Sequence, residues 1–332
     1  MKKSIYIFNN GELKRKDNTF YFYREDGEKN YLPIENIHDI FVMGEVKVTK
    51  KFLELMTKKK IILHFFNYHG YYTGSYYPRE HYNSGYMILK QSTYYNDDEK
   101  RMDLAQKFVT GSFENILKVL KYYNNRIQSN IDKVITKINN LKNKIESTSS
   151  TSELMAVEGN ARAYYYQTFD DIIKNDRFTF ERRSKRPPQN QLNALISFGN
   201  SMLYVTILGE VYKTHLDPRI GFLHSTNSRS FTLNLDLSEI FKPIIVDRII
   251  FKLLNKNIIG IDDFVDKTGG ILLSEKGRKA FVKEFDNRLN TTIKHRKLDR
   301  HVSYRRLFRL ELYKIQKHLM GEEEYIPYVS RW

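Results

Sequence analysis

The sequence predicts an α+β fold: a small N-terminal β-strand domain followed by a larger all-α domain. Three observations predict it. Up to about residue 80, short aromatic and β-branched runs are separated by Asn-Gly and Asp-Gly signals. From Asp97 onward, apolar residues recur at the three- and four-residue spacing of a helix face. Between these stretches the texture changes at PREHYNSGYMILKQSTYY, which begins at Pro78 and reads as an interdomain linker with at most one short strand. The boundaries are therefore placed at 1–80 for the β domain, 81–96 for the linker and 97–332 for the helical domain.

Taken in order, Ser4–Phe8 reads as a strand closed by a hairpin signal at Asn9-Asn10-Gly11, and Thr19–Arg24 alternates before a second turn at Asp26-Gly27. Asn30–Leu32 and Ile37–Val42 continue the pattern. Thr49–Lys58 has the spacing of an amphipathic helix capped by Thr49. Ile61–Phe66 is an apolar run bounded by charge, as in a buried strand, and Tyr71–Tyr77 closes a small sandwich or pair of packed sheets. Two helices follow at Asp97–Asn124 and Asn125–Ile145. The Ser/Thr run at Ser147–Ser152 is a loop that supplies N-caps for a helix over Glu153–Ile173. Gln189–Lys213 is the next helix. Leu235 opens another, which Pro243 should kink or restart because it cannot donate to the i−4 carbonyl. Gly260 and Gly269-Gly270 mark loops, and Ser274–Arg296 and Ser303–Met320 read as the last two helices.

Composition narrows the function. Lys and Arg number 55 against 39 acids, a net charge of +16, and aromatic residues reach 14%. That balance favours a polyanionic partner, with nucleic acid ahead of a membrane. No apolar run stands out as long enough to cross a bilayer, and the N-terminal apolar run is short for a signal peptide. With no cysteine at all, disulfides, thiolate catalysis and cysteine zinc sites are excluded, and a cytoplasmic location is expected. There is no GxxxxGK[ST] phosphate loop, no GxSxG elbow and no GxGxxG after a strand.

The candidate chemistry centres on the stretch from His215 to Arg248. Asp236 and Glu239, three apart, share one face of a helix, and His224 ends the run Ile-Gly-Phe-Leu just upstream, ahead of a polar loop from Ser225 to Ser230. Glu158, with Arg162 one turn further along the same helix face, offers a further acid. One imidazole with carboxylates and no thiolate favours Mn²⁺ or Mg²⁺, without excluding Zn²⁺ by ligand type. Two basic runs are candidate nucleic-acid contacts. Arg182, Arg183, Lys185 and Arg186 precede a double proline, while Arg300, Arg305 and Arg306 belong to a run from Lys294 to Arg309 opposed within it only by Asp299.

Several motifs resemble those of the CRISPR adaptation integrases, the metal-dependent subunit of the spacer-acquisition complex. They are Leu154-Met155-Ala156-Val157-Glu158-Gly159-Asn160-Ala161-Arg162 with Tyr165, Arg186-Pro187-Pro188 with Asn193-Ala194-Leu195, His215-Leu216-Asp217-Pro218 with Gly221-Phe222-Leu223-His224, and Leu235-Asp236-Leu237-Ser238-Glu239 with Phe241-Lys242-Pro243. The resemblance implies an N-terminal β domain that dimerises and an α-helical metal-dependent catalytic domain. It implies Glu158, His224 and Glu239 as catalytic residues and metal ligands, with Asp236 and Arg162 beside them. Asp236, at the start of its helix, is expected to cap free backbone N–H groups. The implied reaction is attack of a DNA fragment's 3′-hydroxyl on a repeat phosphodiester, with hydrolysis when water is the nucleophile. The implied partners are double-stranded DNA with single-stranded ends, CRISPR repeat DNA, a second copy of the chain, and a small second adaptation protein that completes a heterohexamer. A restriction- or repair-type nuclease and a non-catalytic DNA-binding protein are the alternatives.

Overall fold

The computed structural model describes every residue except 1, 80, 81, 83, 128–130, 227–230, 268 and 332. The chain divides into two compact units, Met1–Tyr82 and Asn83–Trp332. In the first unit the strands are β1 (Lys3–Ile7), β2 (Gly11–Lys16), β3 (Thr19–Arg24), β4 (Lys29–Leu32), β5 (Ile37–Val42), β6 (Val46–Val48), β7 (Ile62–Phe66) and β8 (Tyr72–Tyr76). They form two four-stranded sheets, ordered β1-β5-β7-β8 and β4-β3-β2-β6. Helix α1 (Lys50–Lys59) starts where the sequence places it, with the Thr49 hydroxyl accepting from the Phe52 N–H at 3.3 Å.

The pair of packed sheets is borne out, but the first turn is not a hairpin. β1 pairs in parallel with β5, whereas β2 pairs with β3, so the chain changes sheets at Asn10-Gly11. There the Asn10 side chain accepts from the Glu45 N–H at 3.0 Å and the Gly11 N–H donates to the Glu45 carbonyl, tying the link to a distant segment. The Asp26-Gly27 turn does join antiparallel neighbours β3 and β4, with Gly27 at φ +88°. Leu13, Phe20 and Phe22 meet Phe52, Leu55 and Met56 in the core of this unit, and Phe20 and Phe52 pack edge to face at 5.1 Å.

The second unit begins with a correction. The stretch assigned to a linker is helix α2 (Gly85–Asn96), capped by Ser84, and its buried Gln91 binds the backbone at Asp217 and Ile220. A polar side chain buried by contacts more than a hundred positions away is invisible to local composition. Helix α3 (Asp98–Asn124) follows, capped by Asp97, and the next helical run condenses to α4 (Ile131–Lys142). Ser150 caps α5 (Thr151–Gln167), and α6 (Phe169–Ile172) follows a break at Thr168. Helix α7 (Gln191–Val211) is long and apolar enough to cross a membrane by length and composition, contrary to the sequence reading, but 83% of its apolar window is buried inside this unit. It is a core helix, apolar all round because neighbours surround it.

Beyond α7 come α8 (Leu233–Phe241), a π-helical turn (Pro243–Asp247) and α9 (Arg248–Asn255). Pro243 thus marks a change of helical pitch rather than an end: the Asp247 N–H reaches the Lys242 carbonyl, five residues back. The all-helical expectation gives way at two small hairpins, β9 (Phe264–Lys267) with β10 (Gly270–Leu273) and β11 (Thr292–His295) with β12 (Arg300–Ser303). Helix α10 (Glu275–Asn290) therefore stops before Arg296, and α11 (Tyr304–Leu319) is capped by Ser303. Buried Asn115 of α3 donates to the carbonyls of Ile240 and Tyr328 and accepts from Ser330, fixing α8 and the C-terminal segment against α3.

Candidate metal and phosphate site

Helices α5 and α8 bring three of the expected residues together. Glu158 and Arg162 lie on one face of α5 and Glu239 lies on α8. The Arg162 Nη2 atom is 3.1 Å from Glu158 Oε1 and 2.6 Å from Glu239 Oε2, so one guanidinium nitrogen joins the carboxylates of two helices. Arg162 Nε adds a 3.2 Å bond to Glu158, and Nη2 also lies 3.4 Å from the Ser112 hydroxyl of α3. On the other side of Glu239, Lys242 pairs with Oε1. Arg162, Glu239 and Lys242 are all buried.

These charges set one another. Burial would raise the Glu239 carboxyl, but Lys242 and Arg162 outweigh it and hold it at about 2. Burial would likewise deprotonate Lys242, and Glu239 instead holds its ammonium well above the usual range. Arg162 stays charged for the same reason. A carboxylate between two buried cations satisfies the rule that buried charge must be paired. Asp247, at the end of the π-helical turn, is pushed up to about 7 by burial, against the pull of Arg162 and Tyr165.

The histidine is held by the other acid. Asp236 is fully buried. Its Oδ1 receives the His224 N–H at 3.0 Å and stands 2.8 Å from His224 Nδ1, while Oδ2 receives the N–H groups of Phe222 and Leu223. The expectation that Asp236 caps a helix start is therefore corrected: it caps the loop Phe222–His224. Gly221 makes this possible, because a Cβ there would lie 2.7 Å from Asp236 Oδ2 and 2.7 Å from the Thr232 backbone carbon. Arg101 holds the other side of the loop by donating to the Phe222 carbonyl at 3.0 Å. Burial lowers His224 and the Asp236 carboxylate outweighs it, leaving the imidazole above its ordinary value. With Nδ1 committed to Asp236, Nε2 is the nitrogen left for an incoming group.

Two carboxylates and an oriented imidazole are the donors a hard divalent cation takes, and Glu158 and Glu239 already share one positive centre. The donor set fits such an ion. Among the described residues no three acids and histidines stand together as a ligand cluster, and Arg162 lies between the two glutamates.

The residues of the basic runs differ in exposure. Arg182 and Arg186 are exposed. Arg183 turns inward and donates to Asn193 at 2.9 Å and Ser197 at 3.0 Å on α7. Lys185 is exposed along its length, yet partial desolvation of its ammonium, together with Arg183 and Lys242, lowers its pKa. In the second run Arg300 is exposed and Arg306 half-buried, but Arg305 is buried, 3.7 Å from Asp286, and Arg309 pairs with Glu210 at 2.6 Å. The run is thus opposed by acids from other elements, and Arg305 does not belong to an exposed basic face. Sequence reasoning missed Lys242, Ser112, Gln91 and Arg101 as parts of the site. Only Lys242 had a local signal, its i,i+3 spacing from Glu239.

A β-sheet unit followed by a helical unit, in which α8 carries one acid paired with cations and another that holds an imidazole, defines the class: an α+β protein with a candidate cation site. A family model described as CRISPR associated protein Cas1 matches residues 5–287. The chain is 59% identical over 332 residues to the CRISPR-associated endonuclease Cas1 2 of Thermodesulfovibrio yellowstonii, covering 100% of both chains. A solved Cas1 structure from Thermotoga maritima superposes with a TM-score of 0.88 at 45% identity, over 97% of this chain and 99% of that one. A casposase bound to integration product shares the fold, with a TM-score of 0.81 at 19% identity over 99% and 96% of the two chains. The chain belongs to the Cas1 family.

Proposed function

We propose that the chain is a metal-dependent DNA endonuclease and integrase that inserts DNA fragments into a CRISPR repeat array. The observation that carries this reading is the single Arg162 nitrogen shared by Glu158 and Glu239, which marks a point between two helices where a cation is stabilised. The endonuclease name of the 59% identical relative supports it. Glu158, Glu239 and His224 would hold Mn²⁺ or Mg²⁺, which when bound polarises a phosphoryl oxygen and lowers the pKa of an attacking hydroxyl.

The chain's own residues divide the remaining work. Asp236 fixes the ring orientation and tautomer of His224, so Nε2 is presented without searching rotamers. Arg162 and Lys242 keep Glu239 ionised through the neutral pH range and, displaced from it, supply positive charge to a phosphodiester. The exposed Arg182, Arg186 and Arg300 add sequence-independent backbone contacts. The chain would act in the cytoplasm as a homodimer joined through the sheet unit. A small second adaptation protein would complete a heterohexamer on double-stranded DNA with single-stranded ends and on repeat DNA.

The test is cleavage of branched and single-stranded DNA, together with strand transfer into a supercoiled repeat plasmid, with Mn²⁺, Mg²⁺ or EDTA. Activity that needs the metal and is lost in Glu158→Gln is expected. Activity that survives EDTA overturns the metal reading. Cleavage without strand transfer, with the second adaptation protein present, leaves a restriction- or repair-type nuclease.

A further inference from the structure

The π-helical turn has a second side. Glu239 and Lys242 precede it, and Arg248 begins the helix that follows it. Arg248 lines a cleft of about 350 Å³ together with Tyr122, Tyr123, Lys252, Lys256 and Arg288, contributed by α3, α9 and its C-terminal end, and α10. That volume is at the small end of the range for pockets that take compact ligands.

The guanidiniums here are held in place. Arg248 lies over the Tyr122 ring at 4.4 Å and near the Tyr123 ring at 5.8 Å. Arg288 donates through Nε and Nη2 to the Ile244 carbonyl, at 3.1 and 2.8 Å, and lies over the Tyr304 ring at 4.5 Å. Ile244 belongs to the π-helical turn, so the change of pitch at Pro243 presents the carbonyl that fixes Arg288. Stacking restricts Arg248, and stacking with a backbone acceptor restricts Arg288, before any ligand arrives, which removes much of the ordering cost of binding.

Among the lining residues of the cleft, basic side chains outnumber acidic ones. Arg248, Lys252, Lys256 and Arg288 face one lining acid, Glu284, which pairs with Lys252. Arg288 is lowered first by burial and then by Arg248 beside it, opposed by Tyr304. Two like charges brought together in a partly desolvated cleft create a field that an anion with several acceptor oxygens relieves, and guanidinium forks match phosphate.

We propose that this cleft binds the phosphate of a single nucleotide, either free or at the end of a strand. The proposal does not depend on the metal site and stands or falls apart from it. The experiment is calorimetric titration of the full chain with dAMP, with deoxyadenosine, and with a short oligonucleotide carrying a 5′-phosphate or a 5′-hydroxyl. One dAMP should bind per chain, and deoxyadenosine should bind at least about tenfold more weakly, the loss expected for charge-assisted contacts. Arg248→Gln should weaken dAMP about tenfold, and Lys252→Gln with Lys256→Gln about threefold to tenfold, while Glu158→Gln should leave it unchanged. If Arg248→Gln melts early by circular dichroism, the exposed lysine pair decides the question. Tighter binding of the 5′-phosphorylated strand than of its 5′-hydroxyl form, lost in the lysine pair variant, identifies a strand end. Binding of dAMP without that difference identifies a free nucleotide. Absence of dAMP binding at millimolar concentration, equal binding of deoxyadenosine, or full binding by the folded lysine pair variant overturns the proposal.

Discussion

Asp236 and Glu239 are three residues apart on α8, both buried, and yet they are held in opposite ways. Asp236 is surrounded by dipoles: three backbone N–H groups and an imidazole nitrogen. Glu239 is surrounded by cations, Arg162 on one oxygen and Lys242 on the other. Fixed N–H donors cannot leave, because they are the backbone of a loop that Gly221 lets lie against the helix. Side-chain cations can swing away when another positive charge arrives. The helix thus carries one acid committed to structure and one held in an exchangeable state, which is why Glu239 rather than Asp236 is proposed as the metal ligand.

Glu239→Gln is the harshest test of that contrast. It takes the carboxylate from Lys242 and leaves Arg162 with Glu158 alone, and breaking a buried pair typically costs about 3–5 kcal/mol. Mn²⁺ binding should vanish by calorimetry, and the denaturant midpoint should fall. The acid limb of the stability curve should also change. Glu239 titrates near 2 in the fold, below its ordinary 4.5, so it contributes stability above the ordinary value that is lost as pH falls towards 2. That loss should be missing in the variant. Retained Mn²⁺ affinity in a folded Glu239→Gln protein would break the assignment.

Asp236→Asn should act through His224. An amide can accept from fewer of the four donors, and outer partners of a ligating histidine are worth about 10- to 100-fold in metal affinity or rate. Weakened but measurable Mn²⁺ binding is expected, with a moderate fall in Tm. Complete loss of metal in this variant, with affinity kept in Glu239→Gln, would exchange the two roles.

The same contrast between held and available charge divides the second basic run. Arg300→Gln with Arg306→Gln should lower the slope of log K against log salt by about one to two, while Tm stays near that of the parent. Arg305→Gln should do the reverse, because Arg305 is buried near Asp286. A salt slope that drops in Arg305→Gln alone would mean the buried arginine reaches nucleic acid.

Asp247 gives the smallest expected change. Burial raises its carboxyl to about 7, so ionising it disfavours the fold, and the protein loses stability as pH rises from the ordinary carboxylate value to about 7. Asp247→Asn should remove that dependence and raise stability at pH 8. The amide needs an acceptor of its own, so the net gain should be only about 1 kcal/mol. Equal melting of parent and variant at pH 8 would show that Asp247 is already relieved by its neighbours.

What the sequence determined by itself was local. The caps at Thr49, Asp97, Ser150 and Ser303, the pairing of β3 with β4 across Asp26-Gly27, and the disturbance at Pro243 all depend on residues a few positions apart. The spacing of Glu158 from Arg162 and of Asp236 from Glu239 was legible for the same reason, since 3.6 residues per turn fixes a shared face. Tertiary structure alone decided which face met which. It sent β1 and β2 to different sheets and made a helix of the presumed linker, docked through buried Gln91 on the loop at Asp217. It buried Arg305 against Asp286, and it set Arg162 between acids of two helices 81 positions apart. Such choices rest on pairing buried polar groups across long sequence separations. The requirement that a partner exist is general, but which partner fills it depends on how the whole chain closes around the site.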